Sequence, residues 1–238
     1  MRKTICLMLF LISCSLTLVA CGGTDTEIQK DQFPDTETVN QDNDESKTED
    51  IEGSISDNSS ESNILVAYFS WADNAEQGDI DAITSASVTV PGNVAQFAAW
   101  IADEINADLF SIQVSDPYPS DWDACLERAN QEIAENVRPE LVQTVENMED
   151  YDVVFLGYPN WWYSCPMAIL SFIEENDFSG KQVYLFCSHG TGGLARSVQD
   201  ITDALPECNI SENVFDAYEE DTLDSRNEIE EWLRDIGY

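Results

Sequence analysis

Five short runs of this chain, Ile64–Phe69, Leu109–Val114, Val153–Tyr158, Val183–Ser188 and Val214–Tyr218, are largely apolar at consecutive positions. A strand with one wet face alternates apolar and polar residues, so an unbroken stretch such as Val153-Val154-Phe155-Leu156 belongs to a strand covered on both sides. Between these runs the apolar spacing becomes helical: Val94, Phe97, Ala98, Ile101, Ile105; then Leu126, Ala129, Ile133; then Ile169, Phe172, Ile173; then Leu194, Val198, Ile201, Leu205; and finally Ile229, Trp232, Leu233, Ile236. Strand and helix alternating five times predict an α/β domain: a doubly wound, five-stranded parallel sheet with helices on both faces. The chain carries no internal repeat.

The domain occupies residues 63–238. Ahead of it, Arg2 and Lys3 precede an apolar run from Ile5 to Ala20, too short for an ordinary membrane span and laid out like a secretory signal, which assigns residues 1–20. Leu18-Val19-Ala20-Cys21, followed by Gly22-Gly23, resembles the bacterial lipobox, which implies lipidation of Cys21 and an extracytoplasmic, membrane-anchored protein. Residues 21–62 are almost wholly polar, with 13 acidic and 2 basic side chains from Gly22 to Ser62, and predict a disordered, extended acidic linker. The domain adds 34 acidic residues against 6 cations to a chain whose formal charge is −37. Nucleic acid is excluded as a partner because phosphate binding needs a basic face.

Of seven cysteines, Cys6 and Cys14 fall in the signal and Cys21 takes lipid. Cys125, Cys165, Cys187 and Cys208 remain, enough for two disulfides in any of three pairings. His189 is the only histidine and the cysteine spacing fits no zinc pattern, so no metal site is expected.

In an open parallel sheet, ligands bind at the carboxyl ends of the strands. Those ends carry Ser70 and Trp71 after the first strand, Pro159-Asn160-Trp161-Trp162-Tyr163 after the third, and Ser188-His189-Gly190-Thr191-Gly192-Gly193 after the fourth. Two inserts lengthen the crossovers, one from Trp71 to Pro91 and one split between 116–119 and Asn136–Met148; long ordered loops of this kind are more often functional than idle. Gly190, Gly192 and Ala195 also match the dinucleotide pattern G-x-G-x-x-A, with Asp216 near the place of a ribose-binding acid. That fold would continue with further strands, and only one helix follows here.

The segments ILVAYFS, FLGYPNWWYSCPMAILSFIE and LFCSHGTGG resemble the flavodoxin family, most closely its branch with a YPxWW loop, and the resemblance runs from Asn63 to the end of the chain. It implies strand order 2-1-3-4-5, FMN bound where the first and third strands adjoin, and electron transfer to a redox partner, as a carrier or as a reductase of quinones or similar acceptors. No residue need act as acid, base or nucleophile, so none is assigned as catalytic. Trp161, Trp162 and Tyr163 would wall the isoalloxazine ring, with one tryptophan plugging the core. Trp71 would cover the opposite side. Pro159 and Asn160 belong to the same loop as the wall, and Ser188, His189 and Gly190 would meet the polar edge of the ring, His189 as an orienting group. The phosphate end falls to Ser70, Gly92, Asn93 and Val94. Here the chain departs from the family: the usual contiguous Ser-x-Thr-Gly-Asn-Thr is split by the first insert, and Val94 stands where a threonine is common. Helix N–H groups still offer an anion site, and Ser85, Ser87 or Thr89 are candidate replacements for the lost hydroxyl. Cys165 and Cys187, beside the second and third loops, are read as small buried hydrophobes, and Glu219-Glu220-Asp221 as a solvated loop. The alternative is a non-redox binding module that keeps the scaffold without FMN.

Overall fold

The computed structural model describes residues 63–76 and 89–238. The signal and linker segments, Cys21, Ser85 and Ser87 lie outside the described residues. The sheet contains β1 (Ile64–Tyr68), β2 (Asp108–Ser111), β3 (Val153–Pro159), β4 (Gln182–His189), β5 (Asn209–Ile210) and β6 (Phe215–Tyr218). The helices are α1 (Trp71–Asn74), α2 (Asn93–Ile105), α3 (Trp122–Glu135), α4 (Met167–Glu175), α5 (Ser197–Ala204) and α6 (Arg226–Ile236).

All strand pairs are parallel and the order is β2-β1-β3-β4-β5, with β6 also paired to β4. Asn209 and Ile210 pair with Gln182 and Val183 at the start of β4, whereas Phe215 to Tyr218 pair with Phe186 to His189 at its end. One edge position is therefore filled by two pieces, and the five-position order 2-1-3-4-5 holds. The second apolar run is shorter as a strand than its sequence suggests. β2 ends at Ser111, and Val114 instead bridges Leu141 in antiparallel sense, with Ser115 N–H donating to Glu140 O (2.8 Å) and Val142 N–H to Gln113 O (2.8 Å). The 136–148 insert thus caps the tail of that run.

Alternate residues of the strands face two cores. Val66, Tyr68, Phe155 and Phe186 pack with Phe97 and Ile101 of α2 and Ile229, Trp232 and Leu233 of α6. Leu65, Ala67, Val154, Leu156, Val183 and Leu185 pack with Cys125 of α3, Ile169 and Phe172 of α4 and Ile201 of α5. Gly157 in β3 is what lets the Phe186 ring lie across the sheet, because a Cβ there would stand 2.2 Å from ring atoms.

The second crossover is pinned by a buried polar knot. Asp121 caps α3 by accepting from Ala124 N–H (2.9 Å). Tyr118, fully buried, donates its hydroxyl to Glu132 Oε2 (2.7 Å); Arg128 Nε donates to Glu132 Oε1 (2.9 Å), and its guanidinium carbon stands 4.2 Å over the Tyr118 ring. Burial, with the Glu132 carboxylate beside it, pushes the Tyr118 hydroxyl far above its ordinary range, so it remains a donor. This knot fixes Tyr118 beneath the third-strand loop.

Candidate functional site

Two adjoining hollows open at the carboxyl ends of β1, β3 and β4 and share Trp122, Pro159, Trp161, Trp162 and Ser188. Ser70, Trp71, Gly92, Asn93 and Val94 line the inner one, and Asn160, Tyr163, His189 and Gly190 the outer. The thirteen residues expected from sequence are thus brought to one cleft. The outer hollow has a volume of ≈ 280 Å³ and the inner ≈ 30 Å³, space for about two waters.

The aromatic wall is built by a turn. Trp161 N–H donates to Ser164 O (2.9 Å) and Ser164 N–H returns to Trp161 O (3.0 Å), while Trp162 and Tyr163 between them have φ of 48° and 67°. A two-residue turn with positive φ at both centres is one that Asn-Gly adopts readily and bulky residues do not. It separates the three rings. Trp161 points into the core, edge-on to Phe69 (5.3 Å between ring centres, 85°) and Tyr118 (5.2 Å, 84°). Trp162 sits 5.4 Å from Trp161 and 6.3 Å from Trp122. Tyr163 is 67 % exposed and leans on the bare backbone of Gly192, where a Cβ would stand 3.3 Å from its ring.

Trp71 does not cover the opposite side of the slot. It is buried in the inner hollow, its Nε1–H bonded to Pro119 O (3.1 Å), and the ring facing Trp162 is Trp122. Trp71 reaches only the back of Trp122 (5.8 Å, 61°), because the short helix α1 turns it toward the second crossover.

The floor comes from β4. Ser188 O accepts from Asn160 N–H (2.8 Å), tying the third and fourth loops together. The His189 ring lies between Gly190 O, 2.9 Å from Nδ1, and Asp216 Oδ2, 2.8 Å from Nε2. It orients the loop toward β6. Residues 191–196 form turns, and α5 starts only at Ser197. The G-x-G-x-x-A pattern therefore does not open a helix, and its acid, Asp216, is engaged by His189; both observations remove the dinucleotide reading.

At the inner end, α2 presents an N-terminus capped by Gly92 with no acid in its first turn, as is also true of α4, whereas α3, α5 and α6 each carry one there. In so acidic a chain this favours an anion. A Cβ at Gly92 would stand 2.2 Å from Ser70 Oγ, so the strand-end hydroxyl and the helix start meet only because residue 92 lacks a side chain. Asn93 spends its amide elsewhere: Nδ2 donates to Ser188 Oγ (3.3 Å) and Glu219 O (3.0 Å), and Oδ1 accepts from Thr89 (3.3 Å). Its side chain ties three loops together, which leaves the backbone N–H for an anion. Thr89 also bonds Pro91 O (2.9 Å) and lines neither hollow, so it does not replace the lost hydroxyl.

A flavodoxin family model matches residues 80–236. The chain belongs to the flavodoxin family. Among solved structures, the chain is 28 % identical to a Bacteroides eggerthii protein classed as a flavoprotein, over 74 % of this chain and 98 % of that one, with a TM-score of 0.56. A second such protein, from Bacteroides uniformis, is 24 % identical over 72 % and 97 % of the two chains, again with a TM-score of 0.56. The comparison with curated proteins gave no match.

Sequence reasoning missed Trp122, Cys125 and Glu219 as lining residues of the cleft. The Ser120-Asp121 helix start was the available signal for Trp122; Glu219 reads as one carboxylate among three. Cys125, Cys165, Cys187 and Cys208 are all free thiols, which sets aside the two-disulfide alternative. Burial pushes Cys125 and Cys165 up to about 12 and Cys187 well above its ordinary value, so all three are neutral and inert as nucleophiles.

Proposed function

We propose that this flavodoxin binds FMN non-covalently and passes electrons, as a carrier or as a reductase of quinones or similar neutral acceptors, while tethered outside the cytoplasm through lipidated Cys21. The observation that carries the reading is the opposition across one cleft of the Trp162–Tyr163 turn and the His189–Gly190 backbone, with the acid-free start of α2 at its inner end. An apolar ring gains from the aromatic wall, its polar edge from loop backbone, and a phosphate from the α2 N–H groups and the Ser70 hydroxyl. These residues fit the group. Bound FMN would supply the electron-accepting ring; the protein orients it, screens one face from water with Trp162 and Tyr163, and needs no acid, base or nucleophile of its own.

The test is an absorption spectrum of the purified chain after incubation with FMN and desalting. A retained flavin spectrum, bleached by dithionite and restored by air, is the expected result. A colourless folded protein would favour the non-redox binding module, the split phosphate loop having cost the chain its cofactor. Nicotinamide oxidation measured with and without a quinone separates reductase from carrier, and Cys21→Ala should move the protein from the membrane fraction to the soluble fraction.

A further inference from the structure

We infer that His189 is a positioning residue that works with both of its ring nitrogens protonated, so that the grip of the cleft on FMN is proton-linked and weakens as the ring becomes neutral. The inference rests on the FMN reading above. Its ground is the identity of the two atoms that face the imidazole. Nδ1 stands 2.9 Å from Gly190 O, and Nε2 stands 2.8 Å from Asp216 Oδ2. A peptide carbonyl and a carboxylate only accept hydrogen bonds, whereas a neutral imidazole offers one N–H and one bare lone pair. Both contacts are hydrogen bonds only when the ring is an imidazolium.

The neighbouring strands hold the ring at these two points. His189 is in register with Tyr218, and Asp216 with Cys187, so the imidazole reaches back along β6 to Asp216 while the Tyr218 ring stands edge-on to it (6.3 Å, 75°). The side chain is only 13 % exposed, which leaves water little access to replace a lost partner. Of the other titratable groups around it, Glu219 ties its backbone N–H to His189 O (2.8 Å), and Arg196, at the far end of the β4 loop, is paired with Asp200 (3.1 Å). In the adjoining core, burial keeps Tyr158 and Cys187 neutral. Asn93 of α2 carries no charge.

When the ring gives up one proton, the other stays on Nε2, where the bond to a carboxylate is charge-assisted. Nδ1 then turns a lone pair toward Gly190 O, and two acceptors 2.9 Å apart repel. With no side chain to hold it, the Gly190 peptide is the part that gives way. That peptide lines the outer hollow, where loop backbone meets the polar edge of the flavin. The contribution to binding is therefore present while the ring is protonated and is lost as pH rises through its titration.

The chain holds a single histidine, so nitrogen NMR of the untagged full chain reads this ring directly. The experiment records its two nitrogens from about pH 5 to about pH 9, with the FMN dissociation constant measured by equilibrium dialysis at each pH. Both nitrogens should be protonated at the acid end, and FMN affinity should fall about tenfold, the worth of one net hydrogen bond, as one proton leaves. Asp216→Asn supplies an amide that can donate to Nε2, so a neutral ring with its proton on Nδ1 satisfies both contacts. That variant should hold its affinity across the interval. The FMN phosphate also titrates, near about pH 6, but equally in every chain, so it cancels in the ratio of the two profiles. His189→Gln should bind at the weaker, alkaline level of the unmodified chain at every pH, and gives a second reading should Asp216→Asn fold poorly. A ring that is neutral throughout, or a fall in affinity that Asp216→Asn shares in full, or no fall at all, overturns the inference while leaving FMN binding in place. Failure of the unmodified chain to retain flavin at any pH overturns the FMN reading itself, and this inference with it.

Discussion

Trp162 and Tyr163 hold backbone angles that cost a residue with a side chain roughly 1–2 kcal/mol each, and such strain persists where neighbouring structure over-determines it. Tyr163→Gly should relieve part of it. The expected gain is about 1 kcal/mol in urea unfolding, accompanied by weaker FMN retention because the ring that leans on Gly192 is gone; a loss of stability would show that the Tyr163 contacts outweigh the strain. The two tryptophans should separate in a different way. Trp161 is wedged between Phe69 and Tyr118, so Trp161→Ala should cost about 3 kcal/mol of stability. Trp162→Ala should cost under about 1 kcal/mol of stability but weaken FMN binding by about that amount. Similar stability losses in both variants would contradict this division of roles. That three aromatic residues follow a buried strand is legible in the sequence, as is their place at a cleft beside the strand ends. Which ring turns inward is not, because a left-handed pair at Trp162 and Tyr163 breaks the alternation by which strand residues are assigned to faces. Trp122 stayed hidden for a related reason: it precedes the apolar stripe of α3 and is recruited by a loop far from it in sequence.

At the scale of elements, the tightest constraint in the sheet is the crossing of β3 and β4. Gly157 and Phe186 are register partners, and the Phe186 ring occupies the space of a Cβ at 157. Gly157→Ala must displace a rigid, fully buried ring, and should cost about 2–3 kcal/mol in denaturant unfolding. Adding Phe186→Leu should return part of that loss, and additive costs would show that the two positions do not compete for one space. Four of the five apolar runs are strands over nearly the residues expected, since burial on both faces leaves an unmistakable pattern. The split fifth position was half legible. A two-residue strand such as Asn209–Ile210 has no periodicity to read, and Ser211 turns the chain locally by accepting Asn213 N–H (3.1 Å) before β6 begins. Likewise Leu109–Val114 reads as one apolar run, but its tail belongs to Leu141 and the second insert, a tertiary pairing that local pattern does not carry.

For the molecule as a whole, the excess of 34 acids over 6 cations in the domain and the alternation of strand and helix were both plain in the sequence, and the fold follows from the second alone. No helix among the described residues is long and apolar enough to cross a membrane. The state of the cysteines needed the fold, because spacing leaves three pairings open while the packed cores bury three thiols singly. Their burial has a consequence for the whole fold. Cys125 and Cys165 are raised from 9.0 to about 12, and Cys187 is raised as well, all chiefly by burial. Between pH 9 and about 12 the folded chain therefore keeps protons that the unfolded chain has released. Stability is fully present below pH 9 and falls as pH rises through that window, at up to about 1.4 kcal/mol per pH unit for each thiol. Urea midpoints taken at pH 8, 9 and 10 should fall slightly across the first interval and about threefold more steeply across the second. Cys125→Ala with Cys165→Ala should lower the midpoint at pH 8 through the lost volume yet flatten its pH dependence. A slope unchanged by that pair of substitutions would assign the alkaline weakness to repulsion among the surface carboxylates and buried tyrosines instead of to the thiols.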